Sequence, residues 1–522
     1  MSQAIQLPAV RGDISLTADG KALRDPVLQQ QIGLDSTGQA IVSALQQSAT
    51  ADALLHSIPG LTPALLARHV RHLSRHGLFE GPRAEVLRRV AQVPDDPVIA
   101  DADRSFAYAP GLQHACQACG SCCSATDVGP IPDDVAAAIL EHDWREEIPA
   151  LKANEDVFRH EGPAGEIRLM AMRDDQCVFL GQDKLCLVHK TLGVDKKPTP
   201  CRQFPFVFAR TGDQLAVSLS TECRAWWKAR QAASPPSEDE PELRTLLSIG
   251  APVHEVPPRL RLDSGLLLAR SDWLGFVASA VAGARAIDPD KGVYAPIVGF
   301  ARAAELGLMA IYADIDSEER PWASSTAWRA AYPQQFGHVG TQVEASENFE
   351  AGLARFDSEM ASFTREGGDL ARERDLHWLA ARFGVLGRAS ASLCGGADPF
   401  SFRFADPEAA ATILGDVIVS GLQAHEPVRR GATLRAGLAH CALRALLTLH
   451  GACARAKDAC RVEVTVQDLV DSMVTIGKML RERAVLHILS EIESVVISLF
   501  LTNLEVFART ASPRLESPGG IR

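Results

Sequence analysis

The apolar residues near the start of the chain follow the two-residue spacing of β-strands. Ile14 and Leu16 alternate with polar neighbours, and the Asp-Gly pair at positions 19–20 is a typical hairpin turn. Because successive side chains of a strand point to opposite faces, this alternation places the apolar residues on one side. Residues 12–33 are therefore predicted to form short strands joined by a tight turn.

Helical spacing replaces this alternation after the strands. Ser36, Thr50 and Thr62 each precede a run in which apolar residues recur every three or four positions. Their hydroxyl oxygens can accept a hydrogen bond from a backbone N–H of the first helical turn, so each can cap a helix. The third helix is expected to end at Gly77. Strands followed by three short helices form a winged-helix-like module, predicted over residues 1–81.

Prolines and acidic residues interrupt the regular pattern after the third helix. Pro82, Pro94 and Pro97 punctuate the next stretch, and the run DDPVIADADRS is acidic without regular apolar spacing. Such irregular segments commonly connect domains. Residues 82–110 are therefore predicted to be a linker.

Helical spacing dominates the second half of the chain. It is clear in the run that starts at Trp273, in Leu434–Leu449 and in Val466–Phe507. A second proline-containing acidic run, ASPPSEDEPE, precedes this region. The predicted fold class is mainly α with small β elements (α+β). It comprises the winged-helix-like module, a cysteine-rich metal-binding domain at residues 111–232 and a helical domain at residues 243–522.

Composition and charge limit the possible functions. A chain of 522 residues is too long for one ordinary hydrophobic core, and its net charge of −12 argues against a general nucleic-acid or anionic-membrane surface. The N-terminus lacks the charged-then-apolar pattern of a signal peptide, and the longest apolar runs are far shorter than the ~20 residues of a membrane span. We therefore expect a cytoplasmic protein that binds neither nucleic acid nor membrane.

Eight of the twelve cysteines fall between His114 and Trp227. These eight are Cys116, Cys119, Cys122, Cys123, Cys177, Cys186, Cys201 and Cys223. Thiolates are soft ligands, and four of them around one centre suit zinc or an iron–sulfur cluster. The alternatives are a disulfide framework, which a reducing cytosol disfavours, or buried cysteines that only pack. We predict a metal centre with all eight cysteines as candidate ligands.

The spacing suggests which cysteines act together. Cys116, Cys119 and Cys122 are evenly spaced, so one looping turn can aim all three at one centre, and Cys201 in the run PCRQFPF is the best fourth ligand. Cys123, next to Cys122, must point elsewhere unless the turn is tight. The remaining cysteines either hold a second centre or surround a single one, and both arrangements stay open.

The four cysteines outside this segment lack CxxC spacing and are expected to pack as buried thiols. They are Cys394, Cys441, Cys453 and Cys460. His189, in CLVHK, offers a possible nitrogen ligand, although a surface histidine is the simpler expectation. Arg202, beside Cys201, can pair with a cluster's negative charge or with a carboxylate.

The cysteine segment resembles a known family. CQACGSCC, CVFLGQDKLC and KPTPCRQFPF together resemble the cysteine-cluster domain of YkgJ-type proteins, an iron- or zinc-chelating family, over roughly residues 110–230. The match includes Gly120, Pro198 and Phe204, and SLSTECRAWW resembles the last cysteine segment of the flagellin lysine-N-methylase branch. This branch implies a [4Fe-4S] cluster and S-adenosylmethionine as cofactors, with zinc or iron ions as the alternative.

The N-terminal run also resembles a known module. GLDSTGQAIVSAL followed by LTPALLARHVRHLSRHGLFEG is similar to the PqqD-like peptide-recognition domain of enzymes that modify ribosomal peptides. Such domains bind a leader peptide as an added strand. A DNA-binding winged helix and a structural cap are the alternatives, because the last helix carries a basic face.

These resemblances imply a peptide- or protein-modifying enzyme. The specific expectation is methyl transfer from S-adenosylmethionine to a lysine of a bound polypeptide, either a ribosomal precursor peptide or a flagellin-like protein. A non-catalytic iron- or zinc-binding protein that recruits a client, and an iron-dependent oxidative tailoring enzyme, are the alternatives. No GxGxxG follows a strand, and Walker A, HExxH and GxSxG motifs are absent, so the chain identifies no catalytic or cofactor-binding residue.

Overall fold

The computed structural model describes residues 7–285, a few positions up to residue 304, and residues 402–480. The undescribed positions within these ranges are 48–49, 125–127, 150, 152–154, 163–164, 175, 225–226, 228–235, 264 and 431–432; between 286 and 304, only 293, 295–297, 299–300 and 304 are described. Helices and several small sheets alternate along these ranges, which confirms the predicted α+β class.

The first part of the chain forms three strands and three helices. Strands β1 (Ser15–Leu16), β2 (Ala22–Asp25) and β3 (Gln30–Gly33) make an antiparallel sheet in that order. Helices α1 (Ser36–Leu45), α2 (Ala51–Ser57) and α3 (Pro63–Arg75) follow. Their apolar faces share one core that includes Leu23, Ile41 and Leu54. The predicted strand and helix order is confirmed here, while its assignment to a named module stays a prediction.

Two of the three predicted helix caps are confirmed. Thr50 and Thr62 accept hydrogen bonds from backbone N–H groups three residues later, both at 3.2 Å. Helix α1 is capped by Asp35 instead of Ser36, because the Asp35 carboxylate accepts from the N–H of Gly38 at 2.6 Å. Both Asp35 and Ser36 are good capping residues, so the sequence alone left the boundary one residue uncertain.

The segment predicted to be a linker is structured at both ends, which differs from the expectation. Helix α4 (Pro82–Ala91) buries Val86, Leu87 and Val90 in the largest core, and strand β4 (Ser105–Tyr108) joins a sheet. Pro82 lies in the first helical turn, where a proline does not break a helix. The helical spacing of these apolar residues was therefore missed, because the prolines were interpreted as signs of a linker. The domain boundaries as such stay predictions.

The N-terminal part packs directly against a later hairpin formed by β12 (Arg259–Asp263) and β13 (Leu266–Ala269). Gly77, with φ of +67°, approaches Gly265 so closely that a Cβ atom at Gly77 would lie 2.3 Å from the carbonyl oxygen of Gly265. Leu28 belongs to the largest core, which also contains Leu260 and Leu262 of the hairpin. This contact makes Gly77 a packing requirement as well as a helix terminator.

A four-stranded sheet lies beside the cysteine segment. Its strands run in the order β11 (Val253–Glu255), β9 (Phe206–Arg210), β10 (Gln214–Leu219) and β4; β9 and β10 are antiparallel, and each outer pair is parallel. Two small hairpins, β5 (Phe158–Glu161) with β6 (Ile167–Met170) and β7 (Met172–Arg173) with β8 (Gln176–Cys177), and helices α5 (Asp133–Glu141), α6 (Leu187–Leu192) and α7 (Thr199–Gln203) complete this region.

The described C-terminal part is mainly helical, as predicted, but it also contains strands. Its helices are α8 (Glu240–Ser248), α9 (Arg270–Arg285), α10 (Pro407–Gln423), α11 (Glu426–Arg430), α12 (Leu434–Asp458) and α13 (Val466–Met479), and β14 (Arg403–Phe404) pairs with β15 (Glu463–Val464). Strands β11, β12 and β13 also fall inside the region predicted to be helical. In β12, the buried Leu260 and Leu262 alternate with half-buried neighbours, which is strand spacing over a stretch too short to dominate the pattern.

Helices α9, α10, α12 and α13 pack together around the largest core, with Trp273, Phe276 and Phe300 among its fully buried aromatic side chains. Cys441 and Cys453 are buried in this bundle, as expected, whereas Cys460 is exposed and Cys394 lies outside the described residues. Within the described ranges, no helix is both long and apolar enough to cross a bilayer.

Candidate metal centre

The eight candidate cysteines occupy six places in the fold. Cys116 and Cys119 lie in an irregular segment, and Cys122 and Cys123 lie in a single 3-10 turn, Ser121–Cys123. Cys177 ends β8, Cys186 immediately precedes α6, Cys201 is inside α7, and Cys223 follows β10. Short elements with tight connections therefore carry the later cysteines, whereas the first two have no regular backbone around them.

The turn that carries Cys122 and Cys123 is tight because of Gly120. Gly120 has φ of +68°, and a Cβ atom there would lie 3.2 Å from a methyl group of Leu180. Its carbonyl oxygen accepts from the N–H of Cys123 at 3.0 Å and from the hydroxyl of Ser124 at 3.2 Å. Glycine adopts this left-handed conformation without strain. Gly120 thus allows the first cysteine segment to fold back against the loop that leads to Cys186.

This turn brings two neighbouring sulfurs together. The Sγ atoms of Cys122 and Cys123 are 3.7 Å apart. Two thiolates on one tetrahedral zinc, each with a Zn–S bond of about 2.3 Å, are separated by about 3.8 Å. Cys123 was expected to point away from Cys122 unless the turn is tight. The turn is a tight 3-10 turn, so both sulfurs can face the same ion. The pair therefore has the spacing of two ligands of one ion.

The two sulfurs also polarise each other. A hydrogen bond from the Cys123 thiol lowers the pKa of Cys122 to about 6, against the opposing effect of burial and with help from the charges of Lys197 and Lys478. The same bond raises the pKa of Cys123, and burial raises it further. The arrangement thus favours one thiolate and one thiol that share a proton, which a metal ion could replace.

Three more cysteines lie near this pair. Burial, together with the charges of Cys186 and Cys122, raises the pKa of Cys177 to about 11. Burial also raises the pKa of Cys201, and the charges of Cys177, Cys186 and Cys122 act in the same direction. An isolated antiparallel bridge between Ser124 and Gln176 joins the two backbones beside Cys123 and Cys177. Five thiols therefore lie near enough for the charge of one to shift the pKa of another.

The remaining three cysteines are placed differently. Cys116 is exposed, and Cys119 is half-buried. Cys223 is buried in the largest core, whereas Cys177 is buried in a separate core around α5 and α6. In the structure Cys123, Cys177 and Cys186 lie near Cys122 and Cys201, whereas the predicted grouping of Cys116, Cys119, Cys122 and Cys201 stays a prediction.

The donor chemistry fits a soft metal, but the described side chains do not form a closed coordination shell. Across the described residues, no three histidine, cysteine or carboxylate side chains converge closely enough to hold one ion. Five thiols in one neighbourhood, with one pair at ligand spacing, still match the preference of zinc and iron for sulfur. Binding one ion therefore requires further thiols to move toward Cys122 and Cys123.

The other residues singled out from the sequence have mainly structural contacts. Arg202 pairs with the carboxylate of Glu242 at 2.7 Å. A carboxylate was one of the two kinds of partner expected for this arginine. Phe208, in the segment that follows Cys201, is fully buried against α8 and the four-stranded sheet. His189 is exposed, as expected of a surface histidine.

One residue near the centre had no signal in the sequence. Lys478, at the end of α13, donates from Nζ to the carbonyl oxygen of Ser121 at 2.6 Å and also to that of Ser124. A lysine on a helix so far along the chain follows no metal-binding motif. Only the tertiary structure places it at the turn that holds Cys122 and Cys123.

Comparison with known proteins agrees with the location of this centre. Residues 115–224 match a family model, CxxCxxCC, described as "Putative zinc- or iron-chelating domain". No curated protein and no solved structure gives a significant match to the chain. The matched range contains all eight candidate cysteines. Over residues 115–224, which include the Cys122–Cys123 pair, the chain is therefore similar to the CxxCxxCC family of cysteine-cluster domains.

Proposed function

We propose that this protein binds a zinc or iron ion through Cys122, Cys123 and at least two of the neighbouring thiols. The single observation that carries this proposal is the 3.7 Å separation of the Cys122 and Cys123 sulfurs. In a four-iron cluster each thiolate binds a different iron, so its ligand sulfurs stand further apart than two ligands of one ion. The spacing thus favours a mononuclear site over the [4Fe-4S] cluster that the resemblance implies.

The natural further ligands are Cys177, Cys186 and Cys201. All three interact electrostatically with the Cys122–Cys123 pair or with one another. Burial keeps an isolated thiol protonated, so a bound cation that replaces the protons would relieve the cost of several thiolates in one place.

Metal analysis of the purified full chain tests this proposal. We expect close to one zinc or iron per chain without acid-labile sulfide, and loss of that metal in Cys122→Ser and Cys123→Ser. Cys460→Ser is the matched control, because Cys460 is exposed on the helical part of the chain. Four irons and four sulfides per chain would show that the site holds a cluster and not a single ion. Retention of full metal content in both serine variants would refute the ligand assignment.

We further propose that the metal centre belongs to an enzyme that modifies a polypeptide, with methyl transfer to lysine as the reaction. The support is the resemblance of SLSTECRAWW to the lysine-N-methylase branch and of the N-terminal run to a peptide-recognition module. In addition, β1 and β3 are the outer strands of their sheet, which is the geometry that strand addition uses.

In that reaction the lone pair of a neutral lysine amine attacks the methyl carbon of S-adenosylmethionine. The C–N bond forms, the C–S bond breaks, and S-adenosylhomocysteine leaves with the electron pair. The amine must have lost its proton beforehand, so the site needs desolvation or a nearby base.

Incubation with methyl-labelled S-adenosylmethionine and candidate polypeptides tests this second step. The candidates are a ribosomal precursor peptide and a flagellin-like protein, and mass spectrometry should show a gain of one or more methyl groups on lysine. Peptide binding without modification would instead favour a non-catalytic metal protein that recruits a client. Loss of hydrogen or gain of oxygen, dependent on iron, would favour oxidative tailoring.

A further inference from the structure

The end of helix α13 lies against the turn that carries the closest pair of sulfurs. The ammonium group of Lys478 donates to the carbonyl oxygens of Ser121 and Ser124, which flank Cys122 and Cys123 on both sides. Two charge-assisted hydrogen bonds to the two ends of one short turn restrict its backbone strongly. Lys478 lies outside residues 115–224, the range that the family model covers.

The same helix also holds the last part of the cysteine segment. A Cβ atom at Gly477 would lie 2.7 Å from Cγ of Glu222, so glycine allows α13 to approach the residue that precedes Cys223. Asp471, two turns earlier on α13, pairs with Arg224 at 2.5 Å. Helix α13 therefore contacts the cysteine segment near its first cysteines and on both sides of its last one.

Helix α13 is itself firmly placed. Thr465 and Asp468 form a reciprocal capping box at its start, and Arg461 pairs with Asp468 at 2.7 Å. In its middle, the hydroxyl of Ser472 donates to the carbonyl oxygen of Thr448 on α12 at 2.7 Å. A helix anchored at its start and middle can hold the Lys478 ammonium group at a fixed position.

We propose that Lys478 is a positioning residue of the metal centre: it fixes the Cys122–Cys123 turn in the conformation that binds the ion, and helix α13 thereby makes the metal affinity of the cysteine segment depend on the helical part of the chain. The inference rests on the proposed metal binding. It adds a positive charge from outside the segment to a site whose ligands become anionic on binding, which stabilises the loaded state.

The test compares three substitutions of Lys478 in the full chain. Lys478→Met removes both the charge and the donors, Lys478→Gln keeps donors without charge, and Lys478→Arg keeps both. Lys457→Met is the matched control, since Lys457 is an exposed lysine near the end of α12. Zinc affinity is measured by competition with a chromophoric chelator. Hydrogen exchange at residues 121–124 is measured without metal.

Losing a residue that holds metal ligands in place typically weakens metal binding by about 10- to 100-fold. We expect Lys478→Met to weaken zinc binding within that range and Lys478→Gln to weaken it less, whereas Lys478→Arg and Lys457→Met should stay within about threefold of the wild type. The amides of Cys123 and Ser124 should exchange faster in metal-free Lys478→Met than in the metal-free wild type, because the turn loses its anchor.

The outcomes separate this inference from the proposed function. If the wild type binds neither zinc nor iron, the proposed function fails, whatever the exchange rates show. If the wild type binds zinc and Lys478→Met binds it equally tightly, the positioning role is wrong while the metal site stands. Should Lys478→Met fail to fold, the other two variants decide: the proposal requires Lys478→Arg to bind zinc more tightly than Lys478→Gln.

Discussion

Trp273 donates its indole N–H to Nδ1 of His425 across 3.1 Å in the core of the helical bundle. Both side chains are buried, and His425 adopts a left-handed backbone with φ of +50° between α10 and α11. Since Nδ1 accepts a hydrogen bond, this nitrogen carries no proton, and the ring is neutral. The bond thus holds the connection between α10 and α11 against the centre of the bundle. Protonation of Nδ1 would break this hydrogen bond.

Stability should therefore depend on pH through His425. Burial lowers its pKa to about 4, and that of His450 likewise to about 4. An unfolded histidine has a pKa of about 6.5, so the unfolded chain binds more protons below that pH. Each histidine's contribution is fully present above pH ~6.5 and declines as the pH falls toward 4, by on the order of 2 kcal/mol at pH 5.

Denaturant unfolding at pH 8 and pH 5 measures this effect. His425→Asn should fold, because asparagine tolerates the left-handed backbone and its amide oxygen can accept from Trp273. Its stability should fall less between the two pH values than that of the wild type. His189→Asn, at an exposed position, is the control and should keep the wild-type slope. An unchanged slope in His425→Asn would show that folding does not lower the pKa of His425.

Gly77→Ala should destabilise the protein far more than its backbone conformation alone explains. An added Cβ would lie 2.3 Å from the carbonyl oxygen of Gly265, and φ is +67°. Gly60→Ala is a matched control, since Gly60 has φ of +76° but no atom within 4 Å of the added Cβ. We expect about 1 kcal/mol for Gly60→Ala and about 2–4 kcal/mol for Gly77→Ala. Thermal unfolding of both variants measures the difference, and equal losses would show that the close contact is absent in solution.

Arg444→Met should be among the most destabilising single changes in the bundle. Arg444 donates two hydrogen bonds of 2.7 Å to the carboxylate of Glu426, and its guanidinium group is almost fully buried. Removing it leaves the mostly buried carboxylate of Glu426 without those bonds, which costs roughly 3–5 kcal/mol.

The exposed pair of Arg455 with Asp471, at 3.4 Å, provides the comparison, and Arg455→Met should cost under about 1 kcal/mol. Adding Glu426→Gln to Arg444→Met should recover part of the loss, because a neutral amide is cheaper to bury than a carboxylate. Urea unfolding of the three variants measures these differences. A double variant less stable than Arg444→Met would argue against the charge as the cause.

Gly477→Ala should weaken both the packing of α13 and the metal centre. Its added Cβ would press on the buried side chain of Glu222 at 2.7 Å, and the resulting shift of α13 would move Lys478 relative to the Cys122–Cys123 turn. Gly415→Ala, in α10, meets nothing closer than 3.7 Å and should be neutral or slightly stabilising, because alanine favours helices by about 1 kcal/mol over glycine. Metal content and melting temperature of the two variants check this expectation, which fails if both variants behave like the wild type.

The sequence by itself determined the local structure of the first module and the location of the cysteine cluster. Thr50 and Thr62 capped their predicted helices, because capping depends on one side chain and the next three residues. The dense cysteines predicted a metal domain at residues 111–232, since ligand chemistry is a property of residue type and spacing, and the family model matches residues 115–224 within that range. The fold class followed for the same reason, from apolar spacing within single elements.

Only the tertiary structure decided which residues meet. Helix α4 was hidden by Pro82, whose position in the first turn becomes evident only once the helix is placed. The 3.7 Å contact of Cys122 with Cys123 depends on Gly120 turning left-handed against Leu180, a contact between separate loops. Lys478 reaches Ser121 from 357 positions away. Local patterns encode single elements, whereas contacts between distant segments depend on how those elements pack, and no short-range spacing carries that information.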